Sequence, residues 1–359
     1  MNLKDIACLR LINQQIAGSR FKTAAEVVNW MGAVQAQDYP MAKLAIGVRL
    51  HDSTDKEIES AFNKGKFLRT HVLRPTWHFV SADDIYWMIQ LTAFHIKKSL
   101  RTRQKFLEID EKTIRKSSKI LEKELANGEH LTREELFFRL EAERIETANQ
   151  RGVHILVDAE LNGLICSGRI KDNQRTYALF EERVPKRISF SREESLAKLA
   201  TKYFSSHGPA TLHDFVWWSG LPVGDARKSI EMIKEDFSSE KIESQIYWFK
   251  NSLTVLPRYK NNSYLLPAYD EYLISYKDRS SALAFKDHRN TVSSNGIFRP
   301  SIIVDGKVTG TWRKALKEEE IIVEAKLFKE QNKAVLRSLK IKSAELEKFL
   351  EKDVQLIIC

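Results

Sequence analysis

The sequence has only three cysteines, Cys8, Cys166 and Cys359, odd in number and far apart, which excludes a disulfide framework. None of its nine histidines stands four residues from another and no cysteine pair has chelating spacing, so no metal centre is expected. The patterns G-x-x-x-x-G-K-[ST], G-x-G-x-x-G and G-x-S-x-G are missing. With them go the loops that cradle nucleotide phosphates and the nucleophile elbow of serine hydrolases. No apolar run approaches the roughly 18 residues that span a bilayer. The opening MNLKDIACLRLINQQ, interrupted by Lys4 and Asp5, does not read as a signal peptide. The expectation is a reduced, cytoplasmic protein with no cofactor and no membrane partner.

What is present is a chain of 359 residues with 43% hydrophobic content, enough for substantial cores and two to four domains. Lys+Arg exceed Asp+Glu by 58 to 48, and the net charge of +10 raises the odds of a polyanionic partner, nucleic acid first. Helical periodicity over 4–18, 23–37 and 54–66 precedes two extended arms at 67–81 around Arg74-Pro75. Helices over 111–128, 132–146 and 150–165 precede arms at 166–182 with a polar turn at Lys171-Asp172-Asn173. Helices over 192–208, 211–220 and 222–239 precede a hairpin at 240–252. Thr132 with Glu135, and Thr211 with Asp214, read as helix starts. Helices followed by a β-hairpin make a winged helix, so the block boundaries predict winged-helix domains at 1–106, 107–187 and 188–262. Beyond them, 263–359 alternates apolar and polar residues around Asp305-Gly306 and predicts a β-rich, partly barrel-like domain with a final helix. The fold class is α+β, mainly α.

Several residues are candidates for chemistry. In MGAVQAQDYP, Val28, Met31 and Gln35 fall on one helical stripe, and Trp30, Val34 and Gln37 on its neighbour. Pro40 biases Tyr39 away from helical angles, which predicts a helix end near the glutamine pair. On position alone, these amides satisfy carbonyls at that end. Thr76 and His78, two apart on a strand after Arg74, share a face. They would either bind a phosphate or substrate, or hold an internal contact. Lys97, Lys98, Arg101, Arg103 and Lys105 crowd one helical stretch that either tracks phosphates or is a solvated face. Arg299, Trp312, Arg313 and Lys314 flank the C-terminal hairpin, an aromatic among cations as in a nucleic-acid groove. The FVWWSG of Phe215 to Gly220 reads as core.

AVQAQDYP, LRPTWHFVS, GPATLHDFVWWSGLP, LLPAYDEYLISYKDR and RPSIIVDGKVTGTWR, in that order, resemble the AlkZ-like family of bacterial winged-helix DNA glycosylases. The resemblance implies tandem winged helices in a C-shape with a C-terminal β domain. It also implies catalysis by a Gln–apolar–Gln motif, falling here on Gln35, Ala36 and Gln37. Asp38 comes one place too late to be the Asp of the family's other branch. The expected substrate is double-stranded DNA with N7-alkylated purines, bulky adducts or cross-links included, acted on by a monomeric, monofunctional glycosylase. A non-enzymatic winged-helix DNA-binding regulator is the alternative.

Overall fold

The computed structural model describes residues 1–184, 186, 188–250, 261–317 and 320–359. The expected domain boundary at Arg187 and the end of the third hairpin at 251–252 lie outside them. By its internal contacts the chain forms two compact units. One comprises Met1–Ile58, Ala197–Trp218 and Pro222–Cys359; the other comprises Glu59–Leu196 and Ser219–Leu221. Among the described residues, no helix is long and apolar enough to cross a membrane.

In the first unit, the helices Leu3–Asn13 and Ala24–Met31 both begin with reciprocal caps. Asn2 accepts from Asp5 N and Asp5 from Asn2 N; Thr23 accepts from Glu26 N and Glu26 from Thr23 N. The second helix corrects an expectation. It ends at Gly32, whose φ of 75° is left-handed, and does not run on to the glutamines. Pro40 stops nothing. It sits in the first turn of the next helix, Tyr39–Gly47, where its missing N–H costs no bond, and Asp38 caps that helix by accepting from Met41 N at 3.1 Å. Between the two helices, Val34–Gln35 is extended.

The C-terminal region is the β-rich domain expected. Ser263–Leu266, Ser301–Val304, Lys307–Lys317, Glu320–Leu327 and Val354–Ile358 lie side by side in a curled half-barrel. All neighbours are antiparallel except the last pair. Asp305 and Gly306, at φ 49° and 82°, make the predicted hairpin turn between Val304 and Lys307. The helix Lys333–Leu350, capped by Asn332, packs on Ser263–Leu266 and Val354–Ile358. Leu11, Leu266, Tyr272, Leu273, Ile303 and Val308 form the core between this sheet and the first helix. The hairpin Phe237–Ile242 with Gln245–Lys250 follows the helix Val223–Ile233, so its first strand starts earlier than expected.

In the second unit, Phe67–His71 and Trp77–Ser81 pair antiparallel, with Thr70 opposite His78 and His71 opposite Trp77. Helix Ile85–Phe106 follows. Helices Glu111–Glu124, Arg133–Ala142 and Arg151–Leu161 pack through Leu121, Leu136 and Leu156 against Ile165 and Leu179 of the sheet Leu131–Thr132, Gln174–Leu179, Ile165–Lys171. The turn at Asp172-Asn173 and the capping box of Thr132 and Glu135 stand where the spacing predicts.

The cysteines supply a check on this packing. Burial raises the Cys8 thiol and pushes Cys166 up to about 12, whereas Cys359 is exposed. Because the thiolate is the reactive form, a disulfide reagent at neutral pH should label Cys359 promptly and the other two only after denaturation. Prompt labelling of all three would show the two cores open.

Candidate active site

Gln35 lies in the extended segment Val34–Gln35 and is buried, while Gln37, at the bend after Ala36, is exposed. The segment is held between two helices, by the Gly32 stop before it and the Asp38 cap after it. The carboxylate beside the glutamines is therefore occupied with Met41 N.

Under Gln35 sits a second carboxylate. Glu271 opens the short helix Glu271–Ile274, is fully buried, and accepts from Gln35 N through Oε1 at 2.6 Å. Its Oε2 accepts from the Ser275 hydroxyl and faces His207 Nε2 at 3.7 Å. Burial acts to raise the Glu271 carboxyl, but the His207 side chain, the Ser275 hydroxyl and the Gln35 N–H outweigh it and hold the group below the ordinary carboxylate range. Burial acts on His207 in the opposite sense and keeps it below its ordinary value. We favour a neutral ring, since His207 is fully buried beneath the Tyr203 ring, stacked at 4.9 Å. The carboxylate then carries the charge of the pair. Ser206 Oγ lies 2.7 Å from both Lys202 O and His207 Nδ1, and its one proton serves only one of them. Donation to Nδ1 leaves the His207 proton on Nε2, toward the carboxylate. The other choice points a lone pair at it.

A polar circuit surrounds this pair. Asp270 binds Arg49 through both oxygens at 2.8 Å and caps the same short helix by accepting from Tyr272 N. Arg49 also donates to Gln14 Oε1 at 2.9 Å; Gln14 donates to the Tyr276 hydroxyl at 2.9 Å, and that hydroxyl donates to His207 O at 2.7 Å. Arg10 lies 3.5 Å over the Tyr276 ring and donates to Pro209 O, Ser281 Oγ and Asp214. Sequence reasoning missed Glu271 and His207. The available signal was Asp270-Glu271 inside the otherwise apolar YLLPAYDEYLISY, since charges in such a run are buried and need partners.

The remaining candidates fall in different surroundings. In the first unit, Arg299 is exposed, donating to Asn290 O, and Arg313 is exposed, paired with Glu324. Trp312 is a correction. It is 3% exposed and its indole donates to Leu266 O at 2.8 Å, so it belongs to the sheet interior and offers no face to a groove. In FVWWSG, Phe215 and Trp218 are core as expected, while Trp217 is 39% exposed. In the second unit, Arg74 and Thr76 are half-buried at the turn and His78 is fully buried, with Nδ1 3.0 Å from Thr76 O. Lys97, Lys98, Arg101 and Arg103 lie on Ile85–Phe106. Lys97 contacts Asn162 and Asp158, Arg103 reaches Gln150, and Lys98 and Arg101 are exposed.

With this geometry in hand, the chain can be placed among known proteins. The structure is similar to that of the DNA glycosylase AlkZ of Streptomyces sahachiroi, with a TM-score of 0.82 at 18% identity, covering 99% of this chain and 100% of that one. The sequence is 21% identical over 342 residues to an interstrand DNA cross-link repair glycosylase of the same organism, covering 89% of each chain. The family described as DNA glycosylase AlkZ-like matches residues 28–351, and the chain belongs to that family.

Proposed function

We propose that the protein hydrolyses the N-glycosidic bond of N7-alkylated, cationic purines in double-stranded DNA. The proposed range extends to bulky adducts and to interstrand cross-links, the latter part of the Streptomyces relative's name. The observation that carries this reading is that the motif presents amides to the chemistry. Two neutral amides stand one residue apart, one buried and one exposed, and the adjacent Asp38 is engaged as a helix cap. An N7-alkylated purine leaves with its own positive charge neutralised by bond cleavage, so it needs no proton from the enzyme. What remains is to stabilise an oxocarbenium-like sugar and to place a water, and amide oxygens do both by dipole and hydrogen bond.

In this proposal Gln35 and Gln37 are the catalytic residues. Arg74 and Thr76 bind the backbone beside the lesion, with His78 holding their turn. Lys97, Lys98, Arg101 and Arg103, together with Arg299 and Arg313, neutralise phosphates. The winged-helix divisions at 1–106, 107–187 and 188–262 belong to the same proposal, as do monofunctional action, a monomeric state and independence of metal. The test is base release from duplex bearing N7-methylguanine, a bulky adduct or a cross-link. Free base should appear, the strand should stay intact until alkali cleaves the abasic site, and undamaged duplex should yield nothing. Tight, sequence-selective binding to undamaged DNA without base release would identify a regulator instead. Because Arg101 contributes charge and no chemistry in this proposal, Arg101→Ala should weaken binding and lower the dependence of log Kd on log salt by about 0.9, while single-turnover release at saturating protein stays near that of the wild type.

A further inference from the structure

We infer that Glu271, steadied by Ser275 and His207, is the positioning residue that aims the Gln35–Ala36–Gln37 segment, an inference resting on the catalytic reading of those glutamines. The segment is two extended residues followed by a bend. A side chain 236 residues away reaches its first N–H, that of Gln35, at 2.6 Å. An ionised carboxylate at zero exposure costs several kcal/mol of desolvation unless each oxygen is satisfied. Here each is. Oε1 takes the Gln35 N–H, and Oε2 takes the Ser275 hydroxyl and faces His207.

The same carboxylate cannot serve as a proton donor or base, because it is sealed from solvent and fully engaged. Its directional bond to the Gln35 N–H therefore helps orient that peptide. The bond is charge-assisted, shorter and stronger than a neutral backbone contact. The circuit from His207 O through Tyr276, Gln14 and Arg49 to Asp270 ties together the two chain segments that supply His207 and Glu271. Tilting the Gln35 peptide moves both amides, since only Ala36 separates Gln37 from Gln35.

The experiment measures single-turnover release of N7-methylguanine, duplex Kd and melting temperature for Glu271→Ala, Glu271→Gln, Ser275→Ala and Gln35→Ala in the full chain. Misplacing a catalytic group by about an ångström costs roughly 100-fold, so Glu271→Ala should lose about that factor with Kd within about threefold. Glu271→Gln keeps an oxygen for the Gln35 N–H and should restore activity to within about tenfold of the wild type. A folded Glu271→Ala with the wild-type rate overturns the assignment, as does a Glu271→Gln no better than Glu271→Ala. Should Glu271→Ala fail to fold, Ser275→Ala decides in its place. A lower release rate at unchanged Kd sustains the assignment, and the wild-type rate overturns it. Gln35→Ala separates the two ideas: if it alone keeps the wild-type rate, the catalytic reading of Gln35 fails, and the positioning role falls with it.

Discussion

Gln35→Ala and Gln37→Ala are each expected to slow release of N7-methylguanine by about 10²–10³-fold, the range seen when a preorganised polar group facing developing charge is removed. Duplex affinity should stay within about threefold, because neither amide contributes a charge to the phosphate interaction. The charge on the leaving base also fixes which substrates respond. A purine that departs as a neutral base from a cationic adduct needs only sugar stabilisation and a water. A neutral lesion such as hypoxanthine needs a proton as well, and the nearby carboxylates are committed elsewhere, Asp38 to Met41 N and Glu271 to Gln35 N and Ser275. Hypoxanthine release should therefore be undetectable in both wild type and variants. The pH–rate profile for N7-methylguanine should be flat between about pH 6 and 8, since no titrating group transfers a proton in the step. A bell-shaped profile, or release of hypoxanthine, would show that an acid operates and that the amides are not the whole catalytic apparatus.

Much of this architecture was legible because it rests on local rules. The capping box at Thr132, the turn at Asp172-Asn173 and the hairpin at Asp305-Gly306 are decided by a few neighbouring residues, and each appears where its spacing places it. The helix end before the glutamines was misread because two stop signals compete there. Gly32 takes a left-handed φ and ends the helix first, which frees Pro40 to start the next one. That error hid the extended course of Gln35. Trp312 was misread for a different reason. Alternation along Lys307–Lys317 puts it on the opposite face from Arg313, so adjacency in sequence means separation across the sheet. Glu271 could not be assigned to Gln35 at all, because no periodicity or spacing links residues 236 apart. Long-range polar contacts of this kind are fixed only when the whole core assembles.

Asp270→Ala is expected to be the most destabilising single change at this site, costing about 3–5 kcal/mol from the broken buried pair, with about 1 kcal/mol more for the lost helix cap. Asp270 and Arg49 are nearly inaccessible to water, and the carboxylate binds the guanidinium through both oxygens at 2.8 Å. Removing it leaves a cation that burial prevents from regaining its hydration. Urea unfolding should show the midpoint falling at unchanged slope. Asp270→Asn keeps the oxygen that caps Tyr272 N and should lose less. The double replacement Arg49→Met, Asp270→Asn removes the stranded charge, and its loss should fall below the sum of the single changes. A loss below about 1 kcal/mol for Asp270→Ala would mean that water reaches Arg49 and that the pair is not sealed. The order of these variants also bears on catalysis. Asp270 precedes Glu271 in the chain, so its removal loosens the turn that carries the carboxylate under Gln35. Asp270→Ala should consequently lose release activity at temperatures well below its own unfolding transition, whereas a destabilising change of equal size in the core of Leu121 and Leu136, in the other unit, should not.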